Sequence, residues 1–558
     1  MNRKLPDKTP FALAIMIVAA WLFWCAQMGG AALSGDGARE LSIGRLIATG
    51  KYFPLQGVVM SFARAHTGPA YYYLLALPNL IFAHPYSALA FLAALNALAA
   101  AFLFSVVRKA ENLSTAFFAI ALYLASPRTA HLDQAVWGVH HMPLFVCSAF
   151  YCLDRAFFER RPNYLIGTAF CIGILAQLNV LAVILLPLPI LFAVIWKIRI
   201  PWKTWAAAAG ILCLTFAPYL VDEIARGFPN LSALMEFVVT RQPQVVESAA
   251  ETSDIYQSRI WLFLLPYTQT IGTKTGIFRT LLLILPVLIL AGQALCVFDI
   301  RKLFLPKKWY EIGRSQEEEK IARRRKILLL AWFLWPVAFM FLYPGKIRPR
   351  YYYLALPVAF AFAGIAMDQL GRWIGSRTTK ITGQGAVIAA ATVLCALGIS
   401  STLFGQIGQE APVAVRHKLD ALDRVYHSHG GNALFRKNLF ACSFRETDSR
   451  DIGFDYLAYA RSTEQNRPPN PDTFLLVDAS GCLQTPHLDA CYQQRMNLLR
   501  FFNHAQMQQF VADHPALCPD FWSIDQQHRW QLSRERPFDK LLAQDDPPPP
   551  PRFSGYEE

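Results

Sequence analysis

A chain of 558 residues, 54% of them hydrophobic and only 16% charged, with mean hydropathy +0.28, is too apolar for an ordinary soluble protein. It reads as a polytopic membrane protein. A net charge of +14 would suggest nucleic acid in a soluble chain, but here most basic residues fall in loops beside apolar runs, so topology accounts for them and no nucleic-acid partner is expected.

The first apolar run, FALAIMIVAAWLFWCAQMGGAAL from Phe11, is long enough to span a bilayer and longer than a cleaved signal core, so a retained anchor is expected. Further apolar runs lie near 86–107, 113–127, 139–157, 163–180, 181–197, 203–220, 276–298, 327–343, 351–369 and 384–404. With the first, they make about eleven crossings. YYYLLALPNLIF from Tyr71 and IWLFLLPYTQTIG from Ile260 are short and carry proline, and read as interfacial or re-entrant. Counting both as crossings would give about thirteen.

Lys and Arg should collect on every second loop. They do: Arg3, Lys4 and Lys8 share a side with Arg108 and Lys109, Arg160 and Arg161, Lys197, Arg199 and Lys203, the basic stretch 299–326, and Arg372, Arg377 and Lys380. That side is expected to be cytoplasmic, with the N-terminus. The outer face then holds loops 30–69, 128–138, 221–275 and 343–350 and everything after about 405. The cytoplasmic EEEKIARRRK run reads as a solvated, charge-mixed loop.

The tail, 405–558, is polar and His- and Gln-rich, has one β-like run, TFLLVDAS, and ends in DDPPPPPRFSGYEE. A small mixed α/β domain with a disordered end is predicted there, beside a membrane module over 1–404. Seven of the 11 cysteines lie in or near apolar runs, as small packing residues. The other four, Cys442, Cys482, Cys491 and Cys518, all fall in the tail and fit two disulfides in an oxidising compartment, with the pairing open. No CxxC pair supports a metal site among them.

Polar groups at a membrane boundary must be paired, hydrated or useful. On the expected outer face, Asp36-Gly37-Ala38-Arg39-Glu40 opens a stretch whose apolar positions Leu41, Ile43, Leu46 and Ile47 suit an interfacial helix over 38–48, ended by Gly50. An aspartate there can simply cap the helix. Next comes ARAHTGPAYYYLLALP, in which Arg64 and His66 precede Gly-Pro and Tyr71, offering donors for an anionic head group above an apolar surface. Aromatic belts alone would explain the tyrosines. SPRTAHLDQAVWGVHHMPLF then supplies Asp133, His140 and His141, and YPGKIRPRYYYLALP supplies Lys346, Arg348, Arg350 and Tyr351. Three cations within five positions run against the usual outer-face charge bias.

An outer D-x-x-R-E with a helix ending in G-x-Y-x-P, a basic residue before G-P-x-x-Y-Y, an S-P then M-P-L, and a late KIRPRYYYLALP similar to the family's K-x-x-R-Y-x-L-P together resemble the GT-C integral-membrane glycosyltransferases. Within them the likeness is nearest the branch with protein O-mannosyltransferases, the lipid A aminoarabinose transferase and Rhizobium galacturonosyltransferases. It spans roughly the first 370 residues.

The resemblance implies a mainly α, polytopic GT-C-like bundle in a bacterial inner membrane. It also implies a polyprenyl-phosphate-sugar donor, an envelope acceptor such as lipid A, polysaccharide or protein, and Asp36 as catalytic residue. The chain departs from the family where His141, preceded by His140, stands in place of the usual carboxylate before M-P-L. A divalent metal would have Asp36 and His141 as candidate ligands; the alternative is that the two histidines are interfacial side chains satisfied by water. Arg39, Glu40, Arg64, His66, Tyr71, Asp133, His140, His141, Lys346, Arg348, Arg350 and Tyr351 are the expected substrate-binding residues, the late cations binding the lipid phosphate. A polyprenyl-linked sugar transporter or flippase is the competing class, but it should show ionisable residues within the spans and repeated halves. A non-catalytic membrane subunit holding a partner through its tail is the third. No Gly-rich phosphate loop appears, so no nucleotide sugar is expected.

Overall fold

The computed structural model describes residues 9–28, 31, 35–58, 60, 65–82, 84–133, 136–240, 282–301, 316–342, 349–405, 420, 424, 439–442, 473–478, 483–492, 496–501 and 504–514. The chain divides into two compact units, one of residues 1–26, 55–71 and 90–411, the other of 27–54, 72–89 and 412–558.

The helices run in chain order as α1 (Thr9–Ala26), α2 (Gly35–Ala48), α3 (Ala70–Ile81), α4 (Pro85–Ala110), α5 (Leu113–Ala125), α6 (Pro127–Asp133), α7 (Met142–Phe158) and α8 (Tyr164–Leu178). They continue as α9 (Pro187–Ile195), α10 (Trp202–Thr215), α11 (Ala217–Ala225), α12 (Pro229–Thr240), α13 (Ile284–Arg301), α14 (Gln316–Leu342), α15 (Leu356–Arg377), α16 (Lys380–Gly405) and α17 (His504–Asp513). Short 3-10 segments cover Gly138–His141, Val180–Leu185 and Pro349–Leu354.

Each of the roughly eleven apolar runs contains a helix. Among the described residues, however, only three helices, Thr9–Ala26, Pro85–Ala110 and Lys380–Thr402, are long and apolar enough to cross a membrane alone. The pair α10–α11 is a fourth candidate, bent by 63° at its break. Proline explains much of the shortening, because it lacks the N–H that would continue a helix and fits best in a first turn. Pro143, Pro218 and Pro357 stand in the first turns of α7, α11 and α15, and Pro187 restarts a helix after the 3-10 segment Val180–Leu185. The Tyr71 run is the short α3, and the Ile260 run lies outside the described residues.

In the first unit α15 is the central element, with every residue from Leu356 to Met367 buried. A Cβ on Gly292 of α13 would stand 1.9 Å from the Phe362 carbonyl oxygen, so only glycine lets these two backbones meet. Trp332 of α14 stacks on Phe150 of α7 with ring centroids 4.3 Å apart. The EEEKIARRRK run is no loop: it forms the first turns of α14. Arg325 donates to buried Asp154 of α7 at 2.7 and 3.3 Å, and Lys326 pairs with Asp299 at 2.6 Å and Glu111 at 3.0 Å. Charge mixing therefore serves helix docking, with an Arg323–Glu319 pair four residues apart on the same helix.

In the second unit α2 lies against the middle of α3, where a Cβ on Gly44 would stand 2.9 Å from the Leu75 carbonyl carbon. The tail forms a four-stranded sheet in the order β1 (Leu439–Cys442), β2 (Thr473–Asp478), β4 (Met496–Phe501), β3 (Leu488–Tyr492). β1 and β2 are parallel and the other pairs antiparallel. Leu498, Leu499 and Phe501 of β4 are buried, as are Met507 and Val511 of α17. Cys491 on β3 is disulfide-bonded. Cys482, Cys518 and the side chain of Cys442 lie outside the described residues.

Candidate active site

In the second unit α2 starts at Gly35, three residues earlier than periodicity predicts, so Asp36 stands in its first turn and Arg39 and Glu40 follow on the same helix. Glu40 is buried with Leu41, Leu46 and Ile47. The side chains of Asp36 and Arg39 lie outside the described residues. Gly50 ends the helix at φ +72°, a conformation glycine adopts without strain, and its N–H reaches the Ile47 carbonyl at 2.9 Å.

In the first unit two backbone arms, residues 56–58 with 60 and residues 65–67, are laddered by Gly57 N to Thr67 O (2.8 Å), Thr67 N to Val58 O (2.9 Å) and Met60 N to Ala65 O (2.8 Å). Residues 61–64, Arg64 among them, lie outside the described residues. His66 Nδ1 lies 3.0 Å from the Gly57 carbonyl. A carbonyl only accepts, so Nδ1 carries the proton and Nε2 is the nitrogen left for other work. The hairpin enters α3 over Gln177, whose Oε1 accepts Ala70 N–H at 3.2 Å. Its Nε2 donates to Thr215 O at 2.8 Å and Gly173 O at 3.2 Å.

At the start of α3 the ring of Tyr71 meets His141 edge-on, centroids 5.3 Å apart, above Gly138, where a Cβ would come within 3.2 Å of the tyrosine ring. Neighbouring His140 contacts Trp137 at 5.5 Å and Tyr353 at 5.9 Å. The structure thus brings together Tyr71, His140 and His141, and adds Trp137 and Tyr353, which sequence reasoning missed. Their only signals were an aromatic before the His pair and the second repeat of three tyrosines.

His141 is 1% exposed and donates Nδ1–H to the Trp137 carbonyl at 3.1 Å, while Nε2 has no partner among the described residues. With the proton held on Nδ1 by that carbonyl, the ring offers its lone pair at Nε2.

Tyr351 is buried on the 3-10 segment Pro349–Leu354, which Trp332 anchors by donating Nε1–H to the Leu354 carbonyl at 2.8 Å. Lys346 and Arg348, and the side chains of Arg350 and Asp133, lie outside the described residues. No group of three or more metal-ligating side chains occurs among the described residues. Of the two candidate ligands for a metal, His141 offers Nε2, and the Asp36 side chain lies outside the described residues.

No protein-family model and no curated protein matches the sequence. Solved structures do match. ArnT from Cupriavidus metallidurans bound to undecaprenyl phosphate gives a TM-score of 0.52 at 13% identity, over 87% of this chain and 97% of that one. Its apo structure gives 0.53 at 12% identity, over 88% and 98%. At such identity the likeness speaks to architecture, and by it the chain has the GT-C fold.

Proposed function

We propose that the protein is a glycosyltransferase that moves a sugar from a polyprenyl-phosphate donor to a hydroxyl of an envelope acceptor, on the outer face of a bacterial inner membrane. The observation that carries this reading is the buried Tyr71–His141 pair, in which His141 Nε2 has no partner among the described residues, within a fold shared with an ArnT structure that holds undecaprenyl phosphate. A buried polar nitrogen without a partner is costly unless a ligand supplies one.

In this mechanism Asp36 takes the proton of the acceptor hydroxyl as its oxygen attacks the anomeric carbon. The bond from that carbon to the phosphate oxygen breaks, polyprenyl phosphate leaves, and the single displacement inverts the centre. Lys346, Arg350 and Arg348 hold the phosphate and stabilise the charge it gains. Arg39, Glu40, Arg64, His66, Asp133, His140 and Tyr351 bind the substrates, and Tyr71 and His141 receive a hydroxyl of donor or acceptor at Nε2. No step is routed through a metal.

Mass spectrometry of envelope lipids and polysaccharides with and without the gene should show a difference of one sugar. Asp36→Asn should lower transfer by at least about a hundredfold, in the range of general-base catalysis, and leave polyprenyl phosphate binding intact. Transfer at the native rate in Asp36→Asn would overturn the mechanism, and a sugar-lipid moved across vesicles without transfer would favour a flippase.

A further inference from the structure

Two acidic residues at the start of the stretch 221–275, Asp222 and Glu223, are adjacent on α11 and reach the hairpin that leads into Tyr71. Asp222 Oδ2 accepts from the side chain of Gln56, on the first arm, at 2.5 Å, and from Arg226 on its own helix at 2.7 Å. Glu223 is 2% exposed. Its Oε1 accepts Asn230 Nδ2–H at 2.5 Å and Asn230 N–H at 3.3 Å, and its Oε2 accepts Leu231 N–H at 3.1 Å. Asn230, equally buried, turns its Oδ1 to the backbone N–H of His66, on the second arm, at 2.7 Å. His66 then closes back onto Gly57 of the first arm through Nδ1. Two consecutive carboxylates thus grip both arms of one hairpin, across more than 160 residues of sequence.

Capping α12 would alone account for a carboxylate beside the N–H groups of residues 230 and 231. It would not require the Asn230 side chain to reach His66, nor Asp222 to hold Gln56. A carboxylate is the one side chain that accepts three donors here at once, and an amide in its place must turn a donor toward another donor. Past the hairpin, Gln177 fixes Ala70 and the next residue is Tyr71, on His141. The hydrogen-bond chain from Glu223 through Asn230 thus ends at His66, and Gln177 separately holds the residue before Tyr71; both His66 and Tyr71 are groups that the proposed transferase offers to its substrates.

We propose that Glu223 and Asn230, with Asp222 on Gln56, are positioning residues that set the hairpin for the phosphate head of the lipid donor. This rests on the transferase reading for the identity of the ligand. The test uses the full chain in detergent, undecaprenyl phosphate as binding probe, and sugar transfer as a second readout. Glu223→Gln should raise the Kd for undecaprenyl phosphate and the KM for donor about tenfold, with kcat within about twofold, the size expected for one charge-assisted hydrogen bond. Gln56→Ala leaves the α12 cap untouched and should still weaken binding about threefold. Pairing Glu223→Gln with Asn230→Asp exchanges amide and carboxylate, restores a donor-to-acceptor bond between them, and leaves an oxygen for His66 N–H. It should recover most of the lost affinity. Ser232→Ala, on the exposed side of α12, should change neither constant.

Native affinity in both Glu223→Gln and Gln56→Ala would overturn the proposal. So would a loss of kcat and melting temperature without a KM change in Glu223→Gln, unrestored by the exchange, since that is what a cap alone predicts. If the native protein binds the lipid but transfers no sugar, the transferase reading fails while the affinities still decide the clamp. If it binds none, both fall.

Discussion

The proton on His141 belongs to Nδ1, because the Trp137 carbonyl can only accept it. The nitrogen left for a donor is therefore Nε2, which has no hydrogen-bond partner among the described residues. His141→Phe keeps a ring against Tyr71 but removes that acceptor, so sugar transfer should fall about tenfold, the size of one hydrogen bond. Transfer at the native rate in His141→Phe would show that Nε2 meets no substrate. The sequence marked position 141 as a departure from the family; the Tyr71 contact and the tautomer needed the fold.

At the scale of elements, Trp332 joins α14 to the 3-10 segment that carries Arg350 and Tyr351. Trp332→Phe keeps a ring to stack on Phe150 but leaves the buried Leu354 carbonyl without its donor. Such an orphaned acceptor costs about 1–3 kcal/mol, so chemical or thermal unfolding should show a loss of that size, and an unchanged midpoint would refute the anchoring role. Helices were readable here wherever apolar residues ran on, but their ends were not. The EEEKIARRRK stretch was misread because mixed charge looks like a solvated loop, and the Asp154 that docks Arg325 lies 171 residues away. Its Glu319–Arg323 spacing was the one local sign of a helix.

For the molecule as a whole, hydropathy located the apolar runs, whereas proline shortened the helices in several of them, and among the described residues only three helices are long and apolar enough to cross alone. Which side each piece faces rests on Lys and Arg bias. The topology proposed from that bias has the tail outside, where the disulfide-bonded Cys491 would meet an oxidising compartment. Protease added to intact cells or right-side-out vesicles should therefore release tail fragments and leave an N-terminal tag protected; the reverse pattern would invert the topology and move the proposed site to the cytoplasm. Of that site, the His pair and the tyrosine repeats were legible from residue type. Gln177, Asn230 and Glu223 were not, because a buried amide or carboxylate looks the same in sequence as an exposed one.

The break between α10 and α11 also has a mechanical meaning. A rod bent by 63° passes less than half of an axial displacement on to its second segment, the projection of one axis on the other. Sliding of α10 in a bilayer of changing thickness would reach Asp222 and Glu223 attenuated, and mostly as sideways motion. The bend at Phe216 thus turns α11, which holds Gln56 through Asp222, away from the axis along which α10 would slide.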